Sequence, residues 1–227
     1  ALNKYQERKQ DALMKRTRKR PLPSGSVMPK DALIISVLMM GISVCFILLL
    51  ESFNALILVI ATVILYNLIY TPLKKRTPFA LLIGSVTGSI PPMLGYAALG
   101  GQITSAKILT VAFVMYLWQT PHFAMLADKY SEDYFKAGFK TLTSHYGSAA
   151  ASIFIKIWTA GFICSLFFVP LAGLYQYQKT SFYHTALALI TSMLLIIFNK
   201  NTTKTFHILN LSMVLFFVLL VVDAIII

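Results

Sequence analysis

Charge is what this chain lacks most. Asp, Glu, Lys and Arg together make up 12% of its 227 residues, roughly half their share in an ordinary soluble domain. So few charges cannot cover a water-facing surface. With 57% of the residues hydrophobic, the chain reads as an integral membrane protein. Negative charge is scarcer still: eight Asp and Glu stand against 20 Lys and Arg, a net charge of +12. Such a balance can mark a nucleic-acid binder. Here the cations sit between apolar runs and no nucleic-acid module is visible, so no nucleic-acid partner is expected. Cysteine is almost absent. Cys45 and Cys164 lie in apolar stretches without zinc or haem-attachment spacing and read as small core residues. A phosphate-binding glycine loop, a Ser–His dyad, a His pair at metal-ligand spacing and internal repeats are missing as well, and the opening residues are not expected to be a secretory leader.

What the chain does have is seven apolar runs long enough to cross a bilayer, at 32–50, 55–72, 79–99, 106–127, 148–173, 182–198 and 206–227. A crossing takes about 20 helical residues. The runs are continuous rather than alternating, so the expected fold class is all-α: a polytopic membrane helix bundle forming one domain over 1–227. Nine cations precede Asp31. If that side is called "in", the inward loops hold Lys74, Lys75 and Arg76, then Lys129, Lys136 and Lys140, then Lys200 and Lys204. The outward loops hold Lys107 and Lys179. Seven crossings thus satisfy the positive-inside bias. They also place residues 1–25 and the polar loop at 128–147 on the same face.

The few carboxylates are grouped. Five of eight fall in two clusters: Glu7 and Asp11 in NKYQERKQD, and Asp128, Glu132 and Asp133 in DKYSED. Spacing by four puts Asn3, Glu7 and Asp11 on one helical stripe, and Pro21 and Pro23 are expected to end that helix. In the second cluster Asp128 pairs with Glu132, and Lys129 with Asp133, at i,i+4. Two such patches beneath a membrane surface suit a hard divalent cation, and magnesium keeps phosphate and water in its shell. The candidate metal ligands are therefore Asn3, Glu7, Asp11, Asp128, Glu132 and Asp133. Arg16, Arg20, Lys75 and Arg76 are placed to neutralise a phosphorylated substrate. The competing reading is that charges at helix ends simply set topology.

Several residues inside the spans are unusual. His122, one turn after Gln119 and beside Pro121, is an ionisable group at membrane depth. Tyr66, Tyr70, Tyr116 and Trp118 read either as carbocation-facing aromatics or as interfacial anchors. Asn67 either faces a cavity or bonds across helices. Gly84 and Gly88 form a small-xxx-small face on a helix that Pro91 and Pro92 should kink. His145, His184 and His207 sit near loops or helix ends and carry no expected chemistry. Asp223 is expected at the outward interface.

Four stretches carry a family resemblance: NKYQERKQDALMKRTRKRPLPSG, YTPLKKRTPFALLIGSVTGSIPPMLGY, WQTPHF and YSEDYFKAGF. Together they resemble the UbiA-type intramembrane prenyltransferases and, within them, the protohaem IX farnesyltransferase (haem O synthase) group. That resemblance implies nine helices around a central cavity, with the first acidic motif after the second helix. Seven spans following the motif would then mean that an N-terminal pair lies outside this chain. It implies farnesyl diphosphate held through Mg²⁺, and haem b as the acceptor. A bacterial cytoplasmic membrane is implied first, a mitochondrial inner membrane second, with haem A synthase or oxidase-assembly proteins as candidate partners. Carried over residue by residue, Asn3, Glu7 and Asp11 match the first motif and Glu132 with Asp133 the second. Asp128 matches less regularly. His122 falls in the WQTPHF stretch, where haem contact or general-base work is implied. Asn67, Tyr70, Trp118 and Gln119 join the basic residues as substrate-binding candidates. The alternatives are an aromatic quinone precursor or chlorin as acceptor, a transporter, or a non-catalytic scaffold.

Overall fold

The structure, a computed structural model, describes residues 2–225. Among these residues all regular structure is helical. Two short helices, α1 (Leu2–Gln6) and α2 (Arg8–Leu13), precede α3 (Pro29–Leu49) and α4 (Phe53–Val63). The latter continues through a π-helical turn (Ile64–Tyr70) into α5 (Thr71–Leu73). Then come α6 (Ala80–Ala98), α7 (Ala106–Lys129), α8 (Ser131–Lys136), α9 (Leu142–Leu171), α10 (Gln178–Ile197) and α11 (Thr202–Ile225). Seven helices, counting Phe53–Leu73 as one, are long and apolar enough to cross a membrane. The fold is an all-α, multi-pass membrane bundle.

Two packed groups share α7 as their link. Phe162, Leu166 and Val169 of α9 meet Val111 and Val114 of α7, Ala188 of α10, and Leu209, Met213 and Phe216 of α11. A second core joins Ile47 of α3, Ala55 and Leu58 of α4, and Ile90 and Ala97 of α6. The helix α7 lies against both α6 and α9. The glycines of α6 permit close approach. A Cβ on Gly84 would sit 2.9 Å from the Tyr70 ring, and one on Gly88 would overlap the Gln119 side chain.

Some expectations need correction. The opening helix does not run to Pro21. It stops at Leu13, where Met14 turns extended (φ −90°, ψ 130°), and Thr17 donates its hydroxyl to the Asp11 carbonyl at 2.7 Å. That reversal folds Arg20 back over the motif. The 128–147 loop is largely helical: α8 lies within it, and Thr141 and Ser144 form a capping box that starts a further turn. Gly147, at φ +85°, separates that turn from the long helix that follows. Cys45 and Cys164 are exposed rather than in the core; each lies on an outer face of its helix, where lipid would cover it. His184 is fully buried, and Asp223 is 5% exposed, covered by protein at its end of the bundle. Its oxygens accept from the backbone N–H groups of Gln176 and Tyr177, at 2.7 and 3.2 Å, and so cap the start of α10.

Candidate active site

The site begins with a proline. In the π-helical turn each N–H bonds five residues back, and the Thr71 N–H reaches the Tyr66 carbonyl. Pro72 has no N–H to continue this series, which frees the Asn67 carbonyl. Gln6 fills the gap, its Nε2 donating to that carbonyl at 3.2 Å. One turn earlier in the chain, Asn3 Nδ2 donates to Thr71 Oγ1 (2.9 Å), which itself donates to the Tyr66 carbonyl (2.8 Å). The segment 2–13 is thereby held against the end of the second span.

This seating buries the motif's carboxylates. Glu7 is 4% exposed and Asp11 2%. Glu7 is ion-paired with Lys74. Asp11 takes both oxygens to Arg20 Nη1, at 3.0 and 3.2 Å. Backbone bonds from Glu7 N to the Asn3 carbonyl and from Asp11 N to the Glu7 carbonyl keep the three predicted ligands in helical succession, although Glu7 itself leaves ideal helical geometry between α1 and α2.

The second acidic segment lies against the first. Met14 packs with Ala137 and Phe139, Arg16 stands 5.0 Å over the Tyr130 ring, and Lys74 lies 4.8 Å from the centroid of Phe139. The Tyr134 phenol is pushed up chiefly by desolvation. Glu7 and Asp11 raise it further, while Arg16 and Arg20 oppose. Lys4 is lowered chiefly by desolvation, and by Arg20 and Lys74, against the pull of Asp11 and Glu7. Two sequence-distant segments therefore share one local field.

The predicted residues are not all placed alike. Asp128 accepts a hydrogen bond from Thr143, turning toward α9. Glu132 is exposed and Asp133 half-buried; among the described residues neither joins an ion pair. The helical register assumed across 128–133 is interrupted at Tyr130 (φ −112°, ψ 25°). Lys75 and Arg76 are exposed, and it is Lys74, one residue earlier, that reaches Glu7. The register shows why: Lys74 follows Tyr70 by four and shares its face, 5.2 Å from the ring. Gln6 is another residue that sequence reading missed, because its partner is 61 residues away.

A cavity of about 420 Å³ adjoins the motif, lined by Asn3, Tyr66 and Asn67 and by apolar residues such as Met40, Val59 and Val63. Asn67 thus faces a cavity, while its Nδ2 bonds its own helix at Val63. On α7, Trp118 Nε1 donates to the Leu209 carbonyl (3.1 Å). His122 Nδ1 lies 2.8 Å from Asn210 Oδ1, and its ring is held between Trp118 and Phe206 at centroid distances of 4.9 Å. With an amide oxygen as partner, Nδ1 carries the proton and Nε2 keeps a free lone pair. Gln119 Oε1 is buried without a partner, as are Gln6 Oε1 and Gln10 Oε1.

Comparison with known proteins places the chain in a family. The UbiA prenyltransferase family matches residues 1–222. The chain belongs to the UbiA prenyltransferase family. Among its relatives, a protoheme IX farnesyltransferase of Geobacter sulfurreducens is 35% identical over 176 residues, covering 77% of this chain and 64% of that protein. One from Sorangium cellulosum is 39% identical over 172 residues, covering 75% and 61%. One from Oleidesulfovibrio alaskensis is 33% identical over 229 residues, covering 97% and 78%. The chain thus spans less than two thirds of the length of the first two UbiA-family relatives. No solved structure matches it.

Proposed function

We propose that the protein containing this chain transfers a farnesyl group from farnesyl diphosphate to a vinyl group of haem b, giving haem O. The observation that carries this reading is the seating of Glu7 and Asp11 beside the second acidic segment, in one field with Lys4, Arg20, Lys74 and Tyr134. The names of the relatives supply the acceptor.

A magnesium ion fits this site on its donor chemistry. Asn3, Glu7 and Asp11 offer oxygen atoms, the Asn3 amide nitrogen being already committed to Thr71, and Gln6 and Gln10 leave buried oxygens unpartnered. Among the described residues no three His, Cys, Asp or Glu side chains form a complete cage. Magnesium does not need one, since it fills its shell with phosphate and water. Asn3, Glu7 and Asp11 would hold it from the first segment, and Glu132 with Asp133 from the second. When bound it supplies positive charge to a departing diphosphate.

The chain's own residues do the rest. Arg20 and Lys74 are salt-bridged now and can turn to phosphate oxygens, while Arg16 stands beside them. The apolar cavity next to Asn3 takes the isoprenoid tail and keeps bulk water from the reacting carbon. The C–O bond to diphosphate breaks, and the vinyl carbon of haem bonds to the farnesyl C1. Water then adds to the neighbouring carbon with loss of one proton. In this reading His122, with Nε2 bare, serves as the haem contact or the base for that proton. The acidic segments lie on the cytoplasmic face of a bacterial membrane in this reading.

Full-length protein incubated with farnesyl diphosphate, haem b and Mg²⁺ is expected to yield a product whose mass equals haem b plus one farnesyl group plus one hydroxyl. Hydroxybenzoate serves as the competing acceptor, and its preferential prenylation would replace haem in this account. Excess chelator should abolish turnover; full activity in its presence would remove magnesium.

A further inference from the structure

Beyond the break at Gly147, Ser148, Ser152 and Lys156 recur every four residues and so lie along one stripe of α9. They line a cleft of about 240 Å³ bounded by α7, α9, α10 and α11, together with Asn199 at the α10–α11 turn. Farther along α9 the lining turns apolar, at Ala160 and Ile163. The cleft is therefore polar at the end shared with the acidic motifs and apolar toward the middle of the bundle.

Two of its residues are unexplained by packing. Lys156 is an exposed ammonium inside a membrane-crossing helix, a costly placement unless it meets an anion or the interface. Eight residues past Ser148, it lies about 12 Å along the helix at 1.5 Å per residue, and helical side chains lean back toward the N-terminal, Ser148 end. Thr159 is 8% exposed, and its hydroxyl has no partner. Buried helical threonines usually bond the carbonyl four residues back, as Thr62, Thr120 and Thr185 do here. The remaining charge is Asp128, which also lines the cleft and engages Thr143 through Oδ1.

We propose that this cleft binds one zwitterionic phospholipid of the inner leaflet, its phosphodiester on Lys156 and its ammonium toward Asp128. One cation and one carboxylate in a single mouth of about 240 Å³ match a phosphoethanolamine headgroup, whose acyl chains stay in the surrounding bilayer. The cleft adjoins the acidic-motif side at Asp128, which also lines the space bearing Tyr70, Lys74 and Tyr134, and the lipid proposal does not depend on the transfer reaction.

Native mass spectrometry of the full-length protein, delipidated and titrated with dioleoyl phosphatidylethanolamine, reads the site directly. One lipid is expected to be retained. Lys156→Gln should reduce retention about tenfold, and Lys156→Arg should keep it. Ser152→Leu, at an exposed position, should block it without disturbing a core. Equal retention of dioleoylglycerol, or of phosphatidylglycerol, would overturn the headgroup assignment. Competition by farnesyl diphosphate at equal concentration would make the cleft part of the substrate site and overturn the proposal. Unchanged retention in both Lys156→Gln and Ser152→Leu would do the same.

Discussion

Two clusters of buried polar groups stand at opposite ends of this bundle, and they are built differently. At the α9–α10 end, Asp223 accepts two backbone N–H groups. His184 uses both ring nitrogens, accepting from the Tyr175 hydroxyl at 2.7 Å and donating to the Leu166 carbonyl at 2.8 Å. Desolvation there pushes the Tyr175 phenol up, with the Asp223 carboxylate adding to the effect. At the other end Glu7 and Asp11 are buried as deeply, but they are matched by Lys74 and Arg20, side chains on solvent-facing segments. Unpartnered oxygens of Gln6 and Gln10 remain. Native interiors leave few such atoms. A network with every position filled fixes the fold; one with spare acceptors and detachable cations is ready to take a ligand.

The sharpest way to break that contrast is to remove one carboxylate from each end. Asp11→Asn in the full-length protein should cut prenyl transfer by about 10²–10³-fold, the scale of losing one positioned electrostatic group. Its thermal unfolding in detergent should move little, because Arg20 is half-exposed and can be solvated. Turnover within tenfold of the unaltered protein would mean that this end is structural after all. Asp223→Ala is the mirror experiment. It strands two backbone donors at the start of α10 and should cost about 1–3 kcal/mol of stability, seen as a lower unfolding midpoint. Activity per folded molecule should be unchanged; a loss of transfer rate without a loss of stability would erase the distinction.

A smaller test concerns how the site is held. Gln6→Leu leaves the Asn67 carbonyl without its substitute donor. It should lower transfer by several-fold, about 1 kcal/mol for one lost hydrogen bond, mostly through a higher KM for farnesyl diphosphate. A change in kcat alone would show that Gln6 acts on chemistry rather than on seating segment 2–13.

Much of this architecture was legible in the chain itself. Continuous apolar runs fixed seven crossings to within a few residues at most ends, since backbone satisfaction in lipid leaves helices few rivals. The ends of α10 and α11 were harder. Their first turns are polar, and the Asn201 side chain starts α11 by accepting from Lys204 N, a local cap that a hydropathy reading passes over. The Glu7 and Asp11 stripe was readable from its spacing. The ion pair of Glu7 with Lys74 was not among the expectations, which named Lys75 and Arg76 for phosphate; the π-helical turn before Pro72 sets the face on which Lys74 emerges. Gln6 and Asn210 gave no signal. Their partners lie 61 and 88 residues away, and nothing in either residue's own helix names the distant group it meets.

Asn210 yields the finest test of the contrast, because it has one partner and the consequence is chemical rather than structural. Its oxygen holds the Nδ1 proton of His122, so Nε2 is left as the lone-pair nitrogen. Asn210→Leu removes that preference and lets either tautomer form, while the ring stays between Trp118 and Phe206. Haem affinity should fall a few-fold, about 1 kcal/mol, with farnesyl diphosphate binding unchanged and the Soret band of bound haem shifted. His122→Ala should lose more haem affinity and abolish the shift. If Asn210→Leu instead weakens both substrates equally, the pair is only a tie between α7 and α11, and His122 belongs with His184 among the groups that hold the helices together.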